Sequence, residues 1–218
     1  LLSLDVGFTD VTGATVALIP SRCPCLESLN ISGCNVTNDA LVKLARDATK
    51  LVSLCAMCLP HPLSTALVTI AGCCVNLQTL SLSNCNCMYE YALEMVRKLA
   101  FQLKHFLVSK CFWFDNNMLR VLLREPARSR LEHLEILGTN VTDIDLCTEL
   151  VVSARSLNKI GMPQYVFSHA STLIRTATSR NICAYCEQDE QDDDASSYRS
   201  SVSQLSVDHD EYYGEDAR

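Results

Sequence analysis

Thirteen cysteines and five histidines among 218 residues are the side chains most able to do chemistry in this chain. Cys55-x-x-Cys58 with His61 close behind, and Cys183-x-x-Cys186 near the end, have the short spacing that zinc ligands use. Each pair supplies only half of a tetrahedral set, so neither predicts a metal site. A cysteine nucleophile needs a histidine base within hydrogen-bond reach and surroundings that lower its pKa. His105 and His133 fall at matching points of two similar phrases, with no cysteine in the matching column. A glycine-rich phosphate loop and a Ser-His-Asp order are both missing. The expectation is therefore a chain that catalyses nothing and holds no cofactor or metal. Cys34, Cys85 and Cys111 occupy equivalent positions in three of those phrases, which predicts reduced, buried thiols acting as small hydrophobes rather than disulfides.

Charge narrows the partner. The net charge is −7, but residues 187–218 hold eleven acidic residues against Arg199 and Arg218, so the remainder is close to neutral. No basic run is present to meet phosphates, which argues against nucleic acid. Apolar stretches are broken by Pro, Ser or charge before the roughly 20 residues of a membrane helix, and a soluble protein of the cytoplasm or nucleus is expected. The chain starts at Leu1 without a signal-like segment and reads as a fragment or processed form. Its last stretch, 187–218, is rich in Ser, Asp and Tyr and poor in aliphatics, a composition expected to stay disordered.

The elements that must position any site come from a repeat. Leu1, Leu26, Leu51, Leu77, Leu103, Leu131 and Leu157 open the same phrase at spacings of 25 to 28 residues. Three residues after each stands Leu4, Leu29, Leu54, Leu80, Phe106, Leu134 or Ile160, and two further on Val6, Ile31, Ala56, Leu82, Val108, Ile136 or Met162. Alternation at period two puts these side chains on the core side of a short strand and those between them on an open side. After each strand a turn and helix-spaced apolar residues follow. Asn35–Ala45 and Asn140–Leu150 show this most clearly, with an N-cap at Thr37 or Asn38 and at Thr142 or Asp143. Small residues Cys23, Ala48, Cys74, Ala100 and Ala154 precede the opening leucines by three, and Arg124–Arg130 reads as a loop that bulges from the longest repeat.

The phrase L-x-x-L-x-L, with Cys or Thr where many such repeats carry asparagine, resembles the leucine-rich repeats, and Cys23–Ala45 has the C-x-x-L-x-x-L-x-L-x-x-C-x-x-T-x-x-x-L spacing almost throughout. Residues 23–160 are thus similar to the cysteine-containing repeats of F-box/LRR proteins, the substrate receptors of SCF ubiquitin ligases. The Leu51 repeat departs from the pattern at Leu59–Pro62. The resemblance implies an α/β solenoid, a right-handed horseshoe of about seven repeats with a parallel sheet on its concave face. It spans residues 1–166 here, with a capping segment over 167–186 whose helix uses Phe167, Ala170, Leu173 and Ile174. It further implies a protein-binding module that holds a client for ubiquitination, with SCF components joined through an F-box ahead of residue 1. A repeat scaffold or regulatory adaptor with no ubiquitin link is the alternative.

Groove positions are the second, fourth and sixth residues after each opening leucine. Early repeats place Ser3, Asp5, Gly7, Ser28, Asn30 and Ser32 there; later ones place His105, Leu107, Ser109, His133, Glu135, Leu137 and Lys159. The Leu103 repeat also carries Phe112, Trp113 and Phe114 in its turn. Trp113 takes a column that is usually valine, as at Val36 and Val141, and is expected in the core. Partner contact is expected at His105, Leu107, Phe112, Phe114, His133, Glu135 and Lys159, because larger, mixed side chains make better anchors than serines.

Overall fold

Every repeat phrase forms a strand, and the strands line up one repeat after another. In the computed structural model, which describes residues 1–124, 130–169 and 171–186, β1 is Ser3–Asp5, β2 Ser28–Asn30, β3 Ser53–Cys55, β4 Thr79–Ser81, β5 His105–Leu107, β6 His133–Glu135, β7 Lys159–Met162 and β8 Cys183–Cys186. They make one parallel sheet in sequence order. The pairing keeps the repeat register: Leu4, Leu29, Leu54, Leu80, Phe106, Leu134 and Ile160 stand opposite one another from strand to strand. These side chains and the next inward column form a continuous core that is shut from solvent from Leu29 to Met162.

Helices close each repeat. They are α1 (Gly13–Val16), α2 (Ile19–Arg22), α3 (Asn38–Asp47), α4 (Thr65–Cys73), α5 (Tyr89–Leu99), α6 (Asn116–Leu122), α7 (Ile144–Ser153), α8 (Gln164–His169) and α9 (Ser171–Ser179). Capping resolves the two choices the sequence left open. Thr37 accepts from the Ala40 amide at the start of α3, and Asp143 accepts from the Leu146 amide at the start of α7. Asparagines that open two of the helices, Asn38 in α3 and Asn116 in α6, work between repeats instead. Asn38 Oδ1 accepts from the amides of Ser64 and Ala66, and Asn116 Oδ1 from those of Thr142 and Asp143. Amides at the start of one helix, which have no partner within it, are therefore satisfied from the repeat before.

Two regularities escape the apolar pattern. The seventh residue after the opening leucine is left-handed in six repeats, with φ between 53° and 68° at Phe8, Gly33, Cys58, Asn84, Lys110 and Gly138. That bend aims its amide at the next repeat: Gly33 N donates to Met57 O at 2.8 Å and Cys58 N to Ser83 O at 2.9 Å. The second is the cysteine column. Cys34, Cys85 and Cys111 are buried and free, as the repeat reading predicts. Each thiol also donates to the inward-strand carbonyl of the preceding repeat, Val6, Ala56 and Leu82, at 3.0 to 3.1 Å. They are hydrogen-bond donors to backbone as well as fillers of space.

The segment after Ile160 holds two helices rather than one. Val166 and Ala177 are buried under it, and it ends in β8, an eighth strand that the apolar periodicity does not announce. Of the residues assigned to the expected capping helix, Phe167 is half-buried; Ala170 lies outside the described residues, as do residues 187–218 and most of the Arg124–Arg130 loop. No helix among the described residues is long and apolar enough to cross a membrane.

Candidate functional site

The sheet's second face carries the side chains that alternate with the core columns. Its accessible ridge is the column two residues after each opening leucine: Ser3 is exposed, and Ser28, Ser53, Thr79, His105 and Lys159 are half-buried. The columns at the fourth and sixth residues sink between neighbours in the middle of the sheet. Ser32, Cys55, Met57, Ser81, Ser83, Leu107 and Ser109 are all buried. Adjacent repeats set these side chains one strand apart, roughly 4.8 Å, so each is flanked by its counterparts on both sides.

Four of the seven residues selected from sequence are placed differently from the expectation. Leu107 is 2% exposed, squeezed within its column. Phe114 is fully buried, packed edge-on against Phe106 at 5.9 Å between ring centres and against Trp113 at 6.2 Å. Its ring extends the core because Trp113 already occupies the valine column, its indole N–H donating to Cys85 O at 2.9 Å. His133 is 8% exposed, and Glu135 is mostly covered; both are covered by Tyr185 from β8. The three that remain reachable are His105, Lys159 and Phe112, the last 73% exposed.

Tyr185 organises this end of the face. Its hydroxyl donates to Glu135 Oε2 at 2.6 Å and lies 3.3 Å from His133 Nε2. Since the phenol proton goes to the carboxylate, the neutral imidazole must carry its proton on Nε2 to complete the second contact. Glu135 Oε1 accepts from Ser109 Oγ at 2.7 Å, and the Ser109 amide donates to Ser83 Oγ at 3.1 Å. Lys159 Nζ sits 5.3 Å from the Tyr185 ring centre, in cation–π range. Burial, then the charges of Lys159 and His105, pull the His133 pKa down to about 3. Burial and the Glu135 charge hold the Tyr185 phenol protonated. Beside this cluster, His105 meets Thr79 Oγ1 at 3.2 Å and Glu132 at 3.6 Å, and Lys104 meets Glu132 at 3.5 Å. An open polar recess of about 420 Å³ adjoins them, lined by Asn76, Gln78, Gln102, Lys104, Arg130 and Glu132.

The cysteines do not assemble a reaction centre. Burial raises the thiol pKa of Cys74, Cys85, Cys111 and Cys147 to about 12 and raises that of Cys55, the opposite of what a nucleophile needs. Cys55 Sγ accepts from Ser32 Oγ at 3.3 Å, while Cys58 lies in the left-handed turn. His61 is engaged with Asn35 at 2.9 Å. Among the described residues no cluster of three metal-ligating side chains occurs.

No protein-family model matches the chain, and no curated protein does. Among solved structures it is similar to an internalin (inlF) from Listeria monocytogenes str. 4b F2365, with a TM-score of 0.57 and 14% identity over 87% of this chain. The chain spans 48% of that internalin. At this identity the likeness shows the fold, a leucine-rich-repeat solenoid, and nothing narrower.

Proposed function

We propose that the chain is a protein-interaction module whose open sheet face holds a client, and that it serves as the substrate-recognition repeat domain of an F-box-type ubiquitin-ligase receptor. The observation that carries the first half is the column of Ser28, Ser53, Thr79, His105 and Lys159, partly open to solvent on strands in unbroken register and interrupted at His133, which Tyr185 covers. Such a ridge, changing from hydroxyls to an imidazole and an ammonium along its length, suits an extended or curved protein surface rather than a small molecule. The ligase half is supported by the cysteine spacing of Cys23–Ala45 and by the thiols of Cys34, Cys85 and Cys111 knitting successive repeats.

In this reading the client touches His105, Lys159 and Phe112, with Leu107, His133, Glu135 and Phe114 acting beneath as support. A photoreactive residue placed at Ser53 or His105 is expected to crosslink the client, and one at Lys98, on α5 away from the sheet, is not. Equal crosslinking from both faces overturns the module reading. Ubiquitination of the crosslinked client that rises with the level of this protein supports the receptor. Capture with unchanged ubiquitination overturns it in favour of an adaptor with no ubiquitin link.

A further inference from the structure

The Tyr185 ring occupies a slot that the other strands build without help from β8. Gly161 on β7 is its floor: a Cβ added there would stand 2.8 to 2.9 Å from three atoms of the phenol, so only glycine lets the ring lie flat across the strand. At the far end wait a carboxylate oxygen of Glu135 for the hydroxyl proton and the Nε2 of His133 for the oxygen. Lys159 supplies the cation near the ring. Floor, acceptor, donor and cation come from β6 and β7, and together they match one side chain, tyrosine; phenylalanine would leave the Glu135 oxygen without its partner.

Outside the slot, the strand that carries the occupant is held by its pairing along β7 and by partly buried Ala184 against the core. β8 is four residues long at the sheet's edge, and none of Cys183, Ala184, Tyr185 or Cys186 is buried, in contrast to β2 through β7. The chain is anchored immediately before it. Ile182 is buried, and the Arg180 guanidinium donates to the carbonyls of Val152 and Ala154 at 3.1 and 2.9 Å. Asn181 between them is left-handed at φ 57°. Removing β8 would leave the anchor in place and bare the edge of β7, whose backbone groups pair with an added parallel strand.

We propose that the slot over Gly161 is a tyrosine-recognition subsite filled in cis by Tyr185, and that a partner protein's extended, tyrosine-bearing segment takes it by pairing along β7 in place of β8. This rests on the open face being a protein-binding surface, and it names the chemistry that the far end of that surface selects. Tyr185 then acts as a built-in competitor that only a segment able to reproduce its hydrogen bonds displaces.

The test uses the full chain and a peptide copying residues 181–186 with serine at both cysteine positions, together with its phenylalanine analogue. Tyr185→Ala is expected to bind the tyrosine peptide about tenfold or more tighter than the unaltered protein does, because the competitor is gone. The same variant should prefer the tyrosine peptide over the phenylalanine one by about tenfold, the worth of a hydrogen bond to a charged acceptor. Adding Gly161→Ala should abolish binding. Equal affinity for the two peptides, or no binding by a Tyr185→Ala protein that melts like the parent, overturns the proposal. Should Tyr185→Ala not fold, Tyr185→Phe keeps the ring and drops only the hydroxyl's contacts with Glu135 and His133. It must bind the tyrosine peptide more tightly than the parent, and unchanged affinity overturns the proposal. Client crosslinking at His105 separates the two failures, since it persists if the slot idea alone is wrong and vanishes if the face binds no protein.

Discussion

Glycine to alanine at two positions should move stability in opposite directions, and the sign depends on the left-handed turn that each repeat contains. Gly33 sits in that turn at φ 68°, and an added Cβ would meet the Phe8 ring at 2.5 and 2.9 Å. Alanine in a left-handed conformation costs about 1–2 kcal/mol, and reduced freedom in the unfolded chain returns about 0.4–1 kcal/mol. The backbone alone therefore loses between about 0 and 1.6 kcal/mol. The half-buried Phe8 ring that lies against Gly33 must also be pushed aside, so Gly33→Ala should cost about 1–2 kcal/mol in all. Gly72 lies on the exposed side of α4, and nothing stands within 4 Å of a Cβ built there. Gly72→Ala should stabilise by about 0.5 kcal/mol, less than the full helical difference because the position is near the helix end. Urea unfolding of the full chain, followed by circular dichroism, reads both changes. A shift of about 2–4 °C per kcal/mol is expected in thermal melts of a unit this size. If Gly33→Ala were neutral or stabilising, the left-handed column would not be a constraint on the repeat, and its recurrence from Phe8 to Gly138 would need another cause.

Three further outcomes are expected. Cys111→Ala should cost about 1–2 kcal/mol, since it empties a fully buried site and removes the donor to Leu82 O; in thiol labelling of the native protein, exposed Cys25 and Cys183 should react well before Cys34, Cys85 and Cys111. His133 is buried neutral with its pKa lowered to about 3, so between that value and the unfolded value near 6.5 the unfolded chain binds a proton that the native one does not. Stability from this group is complete above pH 6.5 and declines as pH falls toward 3, and His133→Gln should flatten that slope in urea titrations between pH 7 and 5; an unaltered slope refutes the assignment. Asn116→Ala should cost about 1 kcal/mol by stranding the Thr142 and Asp143 amides at the head of α7, read as a lower urea midpoint, while loss confined to α6 on hydrogen exchange would contradict the inter-repeat role.

The repeat register needs no coordinates, because aliphatic residues returning at 25 to 28 positions in the same phrase can be buried together only if each phrase becomes a strand beside the last. Leu29, Leu54, Leu80, Phe106, Leu134 and Ile160 stand opposite one another as that argument requires. Burial of Trp113 follows from the same column logic. Which groove residues a partner can reach was beyond it, because accessibility depends on neighbours that are close only after folding. Leu107 lies on the predicted face yet is sealed by side chains from adjoining repeats, and Phe114 turns inward because Trp113 and Phe106 offer it a packed surface. His133 and Glu135 are claimed by Tyr185, some 50 residues away in sequence and carried on a strand with no leucine phrase to mark it. Local pattern determines which side of a strand a residue occupies; the meeting of distant strands decides what stands on top of it.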